Sequence, residues 1–315
     1  MLAFVVRRLA ALVPVLFVVA VFVFSLIHIT PGDPAAYMLG PSASPAEVEH
    51  LRGVLGLNLP LYQQFVIWLG HALRGDLGQS IFMGIPVSVS IAQRLEPTFL
   101  LTLLAVIFMV AIGIPAGTLA ATRRNTLADQ AVMALAVLGL SVPSFWLGLN
   151  LILLVGVKLR WLPVAGYVPL AQGGVWASVR TLLMPAVSLG FINAALIARI
   201  TRSSMLDVLG LDFVRTARAK GLPRAAVIWR HALANAILPV LTAVGNTFTV
   251  LLGGLVVTEQ VFAIPGVGQL VINAVLRRDY PVIQGAVLYV VTLYIVINIG
   301  LDVLYAAADP RIKYS

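Results

Sequence analysis

The stretch Asp212–Pro239, DFVRTARAKGLPRAAVIWRHALANAILP, sets five Lys or Arg residues and one His between sequences apolar enough to sit in lipid. Asp212–Lys220 has helical spacing, with Phe213, Ala217 and Lys220 at i, i+4 and i+7 and with Arg215 and Arg218 on another side. Gly221-Leu222-Pro223 ends that helix. Glycine permits the turn, and Leu222, preceding a proline, is biased out of the α region. A second helix is expected to restart near Pro223 and run into the next apolar segment. The stretch thus reads as a short helix lying across one face of a membrane, with a defined corner behind it. Two roles for it stay open on physical grounds. Its cations anchor the loop to anionic lipid, or its small residues (Thr216, Ala217, Ala219 and Gly221) let a partner's groove close on it.

Outward from that loop the chain is oily. Of its 315 residues 60% are hydrophobic and 10% charged, against about 25% charged in a soluble domain. Six windows come near the ~20 apolar residues that a spanning helix needs: Leu9–Ile29, Thr98–Ala121, Ala131–Val157, Thr181–Ala198, Ala232–Thr258 and Pro281–Ala306. The first five hold no Asp, Glu, Lys or Arg; the sixth holds Asp302. An all-α polytopic membrane protein with six transmembrane helices is expected. The first window is read as a retained span, because its 21 residues exceed the about 7–15 of a signal-peptide core and no small-residue cleavage site stands in HITPGDP (28–34), at its end and just beyond.

The net charge of +9 is read as setting orientation, not as recognising nucleic acid. With Met1 taken as inside, segments 1–8, 122–130, 199–231 and 307–315 carry 13 Lys/Arg in 59 residues. The outside segments 30–97, 158–180 and 259–280 carry 8 in 113. This asymmetry satisfies the positive-inside rule and places both termini, with the opening stretch, in the cytoplasm. The chain then divides into a cytoplasmic tip and first span (1–29), an extracytoplasmic insert (30–97) and a five-helix core (98–315) with the basic loop 199–231. The insert alternates turn signals, PGDP at 31–34, PSASP at 41–45 and GDLG at 75–78, with an amphipathic piece at 61–69.

Catalytic patterns are missing. Without cysteine there is no disulfide, thiolate metal site or cysteine nucleophile. Four scattered histidines and no HExxH motif give no metal-ligand spacing, so neither metal nor cofactor is expected. Gly-Lys never occurs, which removes the phosphate-cradling GxxxxGK[ST] loop. Ser141, in Gly139-Leu140-Ser141, mimics an intramembrane nucleophile, but no histidine sits deep in a later span to serve as its base. Ser141 and Ser144 are read instead as satisfying backbone freed by a kink at Pro143.

Polar residues inside the spans are candidates to line a translocation path: Asn150, Ser188, Asn193 and, foremost, Gly245, Asn246, Thr247 and Thr249 in the fifth span. Interhelical hydrogen bonding is the competing role for each. Gly253 and Gly254 suggest close helix approach or plain packing. For Asp302 a structural role, through pairing with Arg311 or a neighbouring helix, is favoured over a proton relay. Glu259 precedes VFAIPGVGQL (261–270), read as a re-entrant or interfacial segment, and either caps structure or meets substrate.

Several blocks, taken in order, resemble one family. RTARAKG (215–221), His231, Asn235 and Leu238-Pro239 are similar to the cytoplasmic motif of inner-membrane permeases from dipeptide, oligopeptide, glutathione and nickel ATP-binding-cassette importers. The general motif of such permeases has Glu-Ala-Ala where this chain has Arg215-Thr216-Ala217, and proline where it has Ala234. RRL (7–9), PGDPA (31–35), LGLNLPLYQQF (55–65), GDLGQS (75–80), RLEPT (94–98), VVTEQVFAIPGVGQL (256–270), DYPVIQG (279–285) and DVLYAAADPRIKY (302–314) extend the likeness over nearly the whole chain. The long insert after the first span resembles that of the first of the two permeases in such systems.

The resemblance implies a type I ATP-binding-cassette importer permease fold in a bacterial inner membrane. It also implies a homologous second permease, one or two ATPase subunits, an extracytoplasmic substrate-binding protein and a lipid surround. Phe213, Arg215, Thr216, Ala217, Arg218, Ala219, Lys220 and Gly221 would form the helix that couples to the ATPase. Peptides are the favoured substrates. A stand-alone secondary transporter is the alternative, but it would need coupling-ion acids or broken helices near mid-membrane; an intramembrane hydrolase is a third.

Overall fold

The computed structural model describes residues 2–29, 33–40, 43–54 and 56–308. Thirteen α-helices carry the described chain: α1 Leu2–Ile29, α2 Pro34–Leu39, α3 Pro45–Val54, α4 Leu61–Leu73, α5 Val87–Thr122, α6 Leu127–Ser141, α7 Ser144–Leu151, α8 Leu170–Leu209, α9 Asp212–Ala219, α10 Arg224–Ala226, α11 Leu233–Val261, α12 Val267–Arg277 and α13 Tyr280–Ala308. Two π-helical stretches, Ile152–Lys158 and Val227–Ala232, prolong α7 and join α10 to α11. Among the described residues five helices are long and apolar enough to cross a membrane, and six spans result if one bent pair is a single crossing.

That pair replaces the unbroken third window. α6 and the helix starting at Ser144 meet at 99°. Pro143 has no N–H to give, and it holds Val142 extended at φ −93°, ψ 123°. Ser141 Oγ donates to the Val137 carbonyl at 3.0 Å, one turn back within α6, and not to the Gly139 carbonyl that Pro143 deprives of a donor. This bond is ordinary back-bonding in the helix and not the kink-satisfying role expected of it. The other spans run past their apolar windows. The fourth grows most, because α8 continues through the polar stretch to Leu209, with Gly174 non-helical near its start (φ 69°, ψ 177°).

The chain forms two units. One comprises residues up to 94 together with 270–300, and the other is built on 95–269. In the first, Phe17 and Phe24 lie two turns apart on α1 and meet Phe65 of α4 with ring centroids 5.9 and 5.3 Å away. Gln64 secures the turn before α4 by donating to the Leu57 and Leu59 carbonyls at 3.0 and 2.8 Å. Asp279 is buried and accepts from Ser80 Oγ at 2.5 Å and the Ile81 amide at 3.3 Å, pinning the loop before α5.

In the second unit α8 is the central helix. Leu182, Met184, Ala186 and Leu189 of α8 join Leu101 and Ala105 of α5, and Leu251, Leu255 and Phe262 at the end of α11, in one buried cluster. Small residues let the helices approach closely. Gly113 and Gly117 lie one turn apart on α5 and face α8 at Ala194, Ile197, Ala198 and Thr201. Gly190 of α8 in turn faces the Ala105 carbonyl. Tyr167, in the link before α8, donates to Glu96 Oε1, and the Leu170 amide donates to the same oxygen at 2.8 Å. Burial and the Glu96 carboxylate both push the Tyr167 phenol above its ordinary value.

Candidate functional site

α9 forms where the sequence predicted it and ends one residue earlier, at Ala219. Asp212 in its first turn suits the positive end of the helix and pairs with Arg215 at 3.2 Å on the exposed surface. The helix closes by Lys220 N donating to Thr216 O and Gly221 N to Arg218 O, each at 3.0 Å. Gly221 then turns the chain at φ +75°, a left-handed conformation that costs an L side chain about 1–2 kcal/mol. Pro223 restarts the helix at α10, and the π-helical turn Val227–Ala232 carries it into α11.

The buried face of α9 differs from the one that the i, i+4, i+7 pattern suggested. Val214 and Ala217 are buried with Val227, against Val208 and Leu209. Phe213 is 40% exposed, and Arg215, Thr216, Arg218, Ala219, Lys220 and Gly221 are exposed as well. Ala217 therefore holds α9 to its own chain instead of offering room to a partner. The outward face mixes one aromatic ring, three cations and short side chains.

The foremost path candidates on α11 separate. Gly245 and Thr247 are buried, Asn246 is exposed, and the side chain of Thr249 lies outside the described residues. A stripe the sequence reading did not assemble appears instead. Asn235, Pro239, Thr242, Asn246 and Gly253 are all exposed, and their spacing by three, four or seven residues puts them on one face. Asn235 and Thr242 donate to the carbonyls of His231 and Leu238, four residues back. The candidates elsewhere are also engaged locally: Asn150 with Trp146 O, Asn193 with Leu189 O and Ser188 with Pro185 O. Of the two adjacent glycines, a Cβ on Gly254 would come within 3.2 Å of Leu189 Cδ2, whereas a Cβ on Gly253 would meet nothing within 4 Å.

Glu259 is fully buried and is a fastener. Its Oε1 accepts from Thr98 Oγ1 at 2.6 Å and its Oε2 from the Gln269 amide at 2.9 Å. Thr98 Oγ1 also accepts from the Val267 amide at 2.9 Å. The carboxylate thus ties the first turn of α12 to α11 and α5, and Gly266 and Gly268 leave room for it. Glu259→Ala should lower stability by about 2 kcal/mol, because buried donors lose their acceptor; thermal unfolding of the purified chain measures it. Asp302 stands on α13, with its side chain and Arg311 outside the described residues.

One constellation escaped the sequence reading. Asp129 at the start of α6 is 3% exposed and receives Arg202 of α8 through Nε–Oδ1 at 2.6 Å and Nη2–Oδ2 at 2.7 Å. The Asn125 amide donates to the same carboxylate at 2.9 Å. This fork fixes the short α5–α6 connection to α8.

Comparison with known proteins places these features in context. The family model described as "Binding-protein-dependent transport system inner membrane component" matches residues 113–314, and the corresponding N-terminal model matches residues 1–102. The probable peptide ABC transporter permease protein y4tP of Sinorhizobium fredii is 44% identical over 311 residues, covering 99% of both chains. The glutathione transport system permease protein GsiC of Escherichia coli (strain K12) is also 44% identical, over 314 residues and all of both chains. Among solved structures, an inward-facing MetNI methionine ABC transporter superposes with a TM-score of 0.58 at 20% identity, covering 70% of this chain and 96% of that one.

Proposed function

Because the chain belongs to the family of binding-protein-dependent transport system inner-membrane components, we propose that it forms half of an ATP-driven importer's pathway and takes its stroke from a cytoplasmic ATPase through α9. The observation that carries this reading is α9 itself: a two-turn helix sealed to the bundle by Val214 and Ala217, bare on its other faces and stopped by a left-handed glycine. A helix held so transmits displacement of whatever grips it into α8 and α11. A homologous permease, one or two ATPases and an extracytoplasmic binding protein complete the machine. ATP is hydrolysed on the ATPase, since this chain carries no phosphate-cradling loop.

The exposed stripe of α11 supports the second half of the reading. Asn235, Thr242 and Asn246 are poor company for lipid tails, so that face suits a water-filled path or the partner permease. Its uncharged amides and hydroxyls fit peptide backbones, and the relatives named above are peptide and glutathione permeases. Both termini and the α9 corner lie in the cytoplasm. As the chain has no cysteine, a single cysteine introduced at Trp229 reports that side through an impermeant thiol reagent.

Gly221 tests the coupling. Nothing stands within 4 Å of where its Cβ would be, so a substitution meets backbone strain alone. Gly221→Val should insert normally yet lose uptake on the order of tenfold, the effect of ~1–2 kcal/mol of left-handed strain on the docked corner. Gly221→Asn, which tolerates that conformation, should keep most of it. Equal uptake by both variants contradicts the coupling role, as does purification from native membranes without a second permease or ATPase.

A further inference from the structure

Between the end of α5, the last turn of α8, α9 and the start of the α10 helix lies a cleft of about 600 Å³. Its floor is apolar, with Ala121, Leu206 and Ile228, while Arg124, Arg218 and Arg224 line it from three separate elements. No acidic residue lines it among the described residues. The acid that feels Arg124, Asp129, is already held by the Arg202 fork. Arg224 reaches across to the Thr122 carbonyl at 3.4 Å, so this guanidinium lies over the end of α5.

Three guanidiniums around an oily floor ask for a ligand that is anionic at one end and apolar at the other. A free phosphate gains nothing from the floor, and a neutral lipid gains nothing from the arginines. The cleft also lies beside the ends of the apolar stretches of α5 and α11, where the proposed orientation would put lipid headgroups. We infer that it binds the phosphodiester headgroup of an anionic phospholipid from the cytoplasmic leaflet, with the glycerol end on the apolar floor. Basic pockets between transmembrane helices on that side take such headgroups by the same chemistry. The bound lipid would brace the α9 corner against α5. The leaflet rests on the orientation proposed above; the headgroup chemistry does not.

The test uses the full chain, purified in detergent with the subunits that stay bound. It is offered equal phosphatidylglycerol and phosphatidylcholine, and retained lipid is counted by native mass spectrometry. Phosphatidylglycerol should be retained preferentially, and millimolar inorganic phosphate should not displace it. Arg124→Gln and Arg224→Gln should each cut the preference about fivefold, the effect of one cation near an anionic lipid, while Arg277→Gln leaves it unchanged. Equal retention of both lipids overturns the assignment. So does displacement by phosphate, which would mark a free-anion site, or exclusion of lipid by an acidic ATPase segment cross-linked into the cleft. The wild-type preference and the phosphate competition need no variant, so misfolding of a substituted chain cannot shield the proposal. Detergent binding is blind to sidedness: thiol labelling of the Trp229 position from outside would overturn the leaflet and leave the headgroup chemistry standing.

Discussion

A Gly117→Val chain should accumulate in the membrane at a small fraction of the wild-type level and unfold well below its temperature. The Cβ alone would overlap the Ala198 carbonyl oxygen, and it would lie 2.6 Å from Thr201 Cβ and 3.0 Å from the Arg202 amide nitrogen. Two of these three obstacles are backbone atoms, which no rotamer change can move aside. The α5–α8 seam must open, and Gly113 one turn away leaves no slack, since a Cβ there would sit 2.8 Å from Ile197 Cβ. A cost above about 3 kcal/mol is expected, beyond ordinary overpacking and large against the ~5–15 kcal/mol that holds a domain. Gly253→Val is the control: with nothing within 4 Å of that Cβ, abundance and melting temperature should barely change. Full-length protein per membrane and thermal unfolding in detergent measure both.

Loss of Arg202 should be nearly as damaging, by a different route. Arg202→Ala strands a carboxylate that is 3% exposed with the Asn125 amide as its remaining donor in the described network. Breaking a buried pair from one side typically costs about 3–5 kcal/mol. The lower figure applies here, because the Arg202 side chain is 25% exposed and water reaches it. Asp129→Asn leaves an exposed-edge cation and a neutral amide, so it should cost less. The double variant Asp129→Asn/Arg202→Gln should be more stable than Arg202→Ala, since no buried charge is orphaned. Arg202→Lys should recover part of the loss, because a single ammonium cannot make both bonds of the fork. Equal melting temperatures for wild type and Arg202→Ala would refute this account.

Both positions show how far local reading goes. Gly113-Ile114-Pro115-Ala116-Gly117 has the small-xxx-small spacing of close helix contact, and adjacent Gly253-Gly254 suggests such contact equally well. Spacing marks a face without saying what stands opposite, and Gly253 has open space before it. Asp129 and Arg202 are 73 residues apart, beyond any periodicity. On α9 the i, i+4, i+7 pattern joined Phe213, Ala217 and Lys220, while the buried pair is Val214 and Ala217. Both choices are helical, and only Val208, Leu209 and Val227 decide between them.

What the residue order determined by itself was local. Transfer of apolar side chains into lipid set the membrane class and the positions of the spans, because some twenty consecutive residues settle that free energy among themselves. Backbone sterics set the corner at Gly221-Leu222-Pro223 and a break at Pro143, because φ and the missing proline N–H belong to single residues. Tertiary structure alone decided the 99° angle of that break, the turning of Ala217 inward, the exposure of Asn246 between buried Gly245 and Thr247, and the use of Glu259 as a fastener. Each of these depends on which elements pack against one another, and its free energy exists only once those elements have come together.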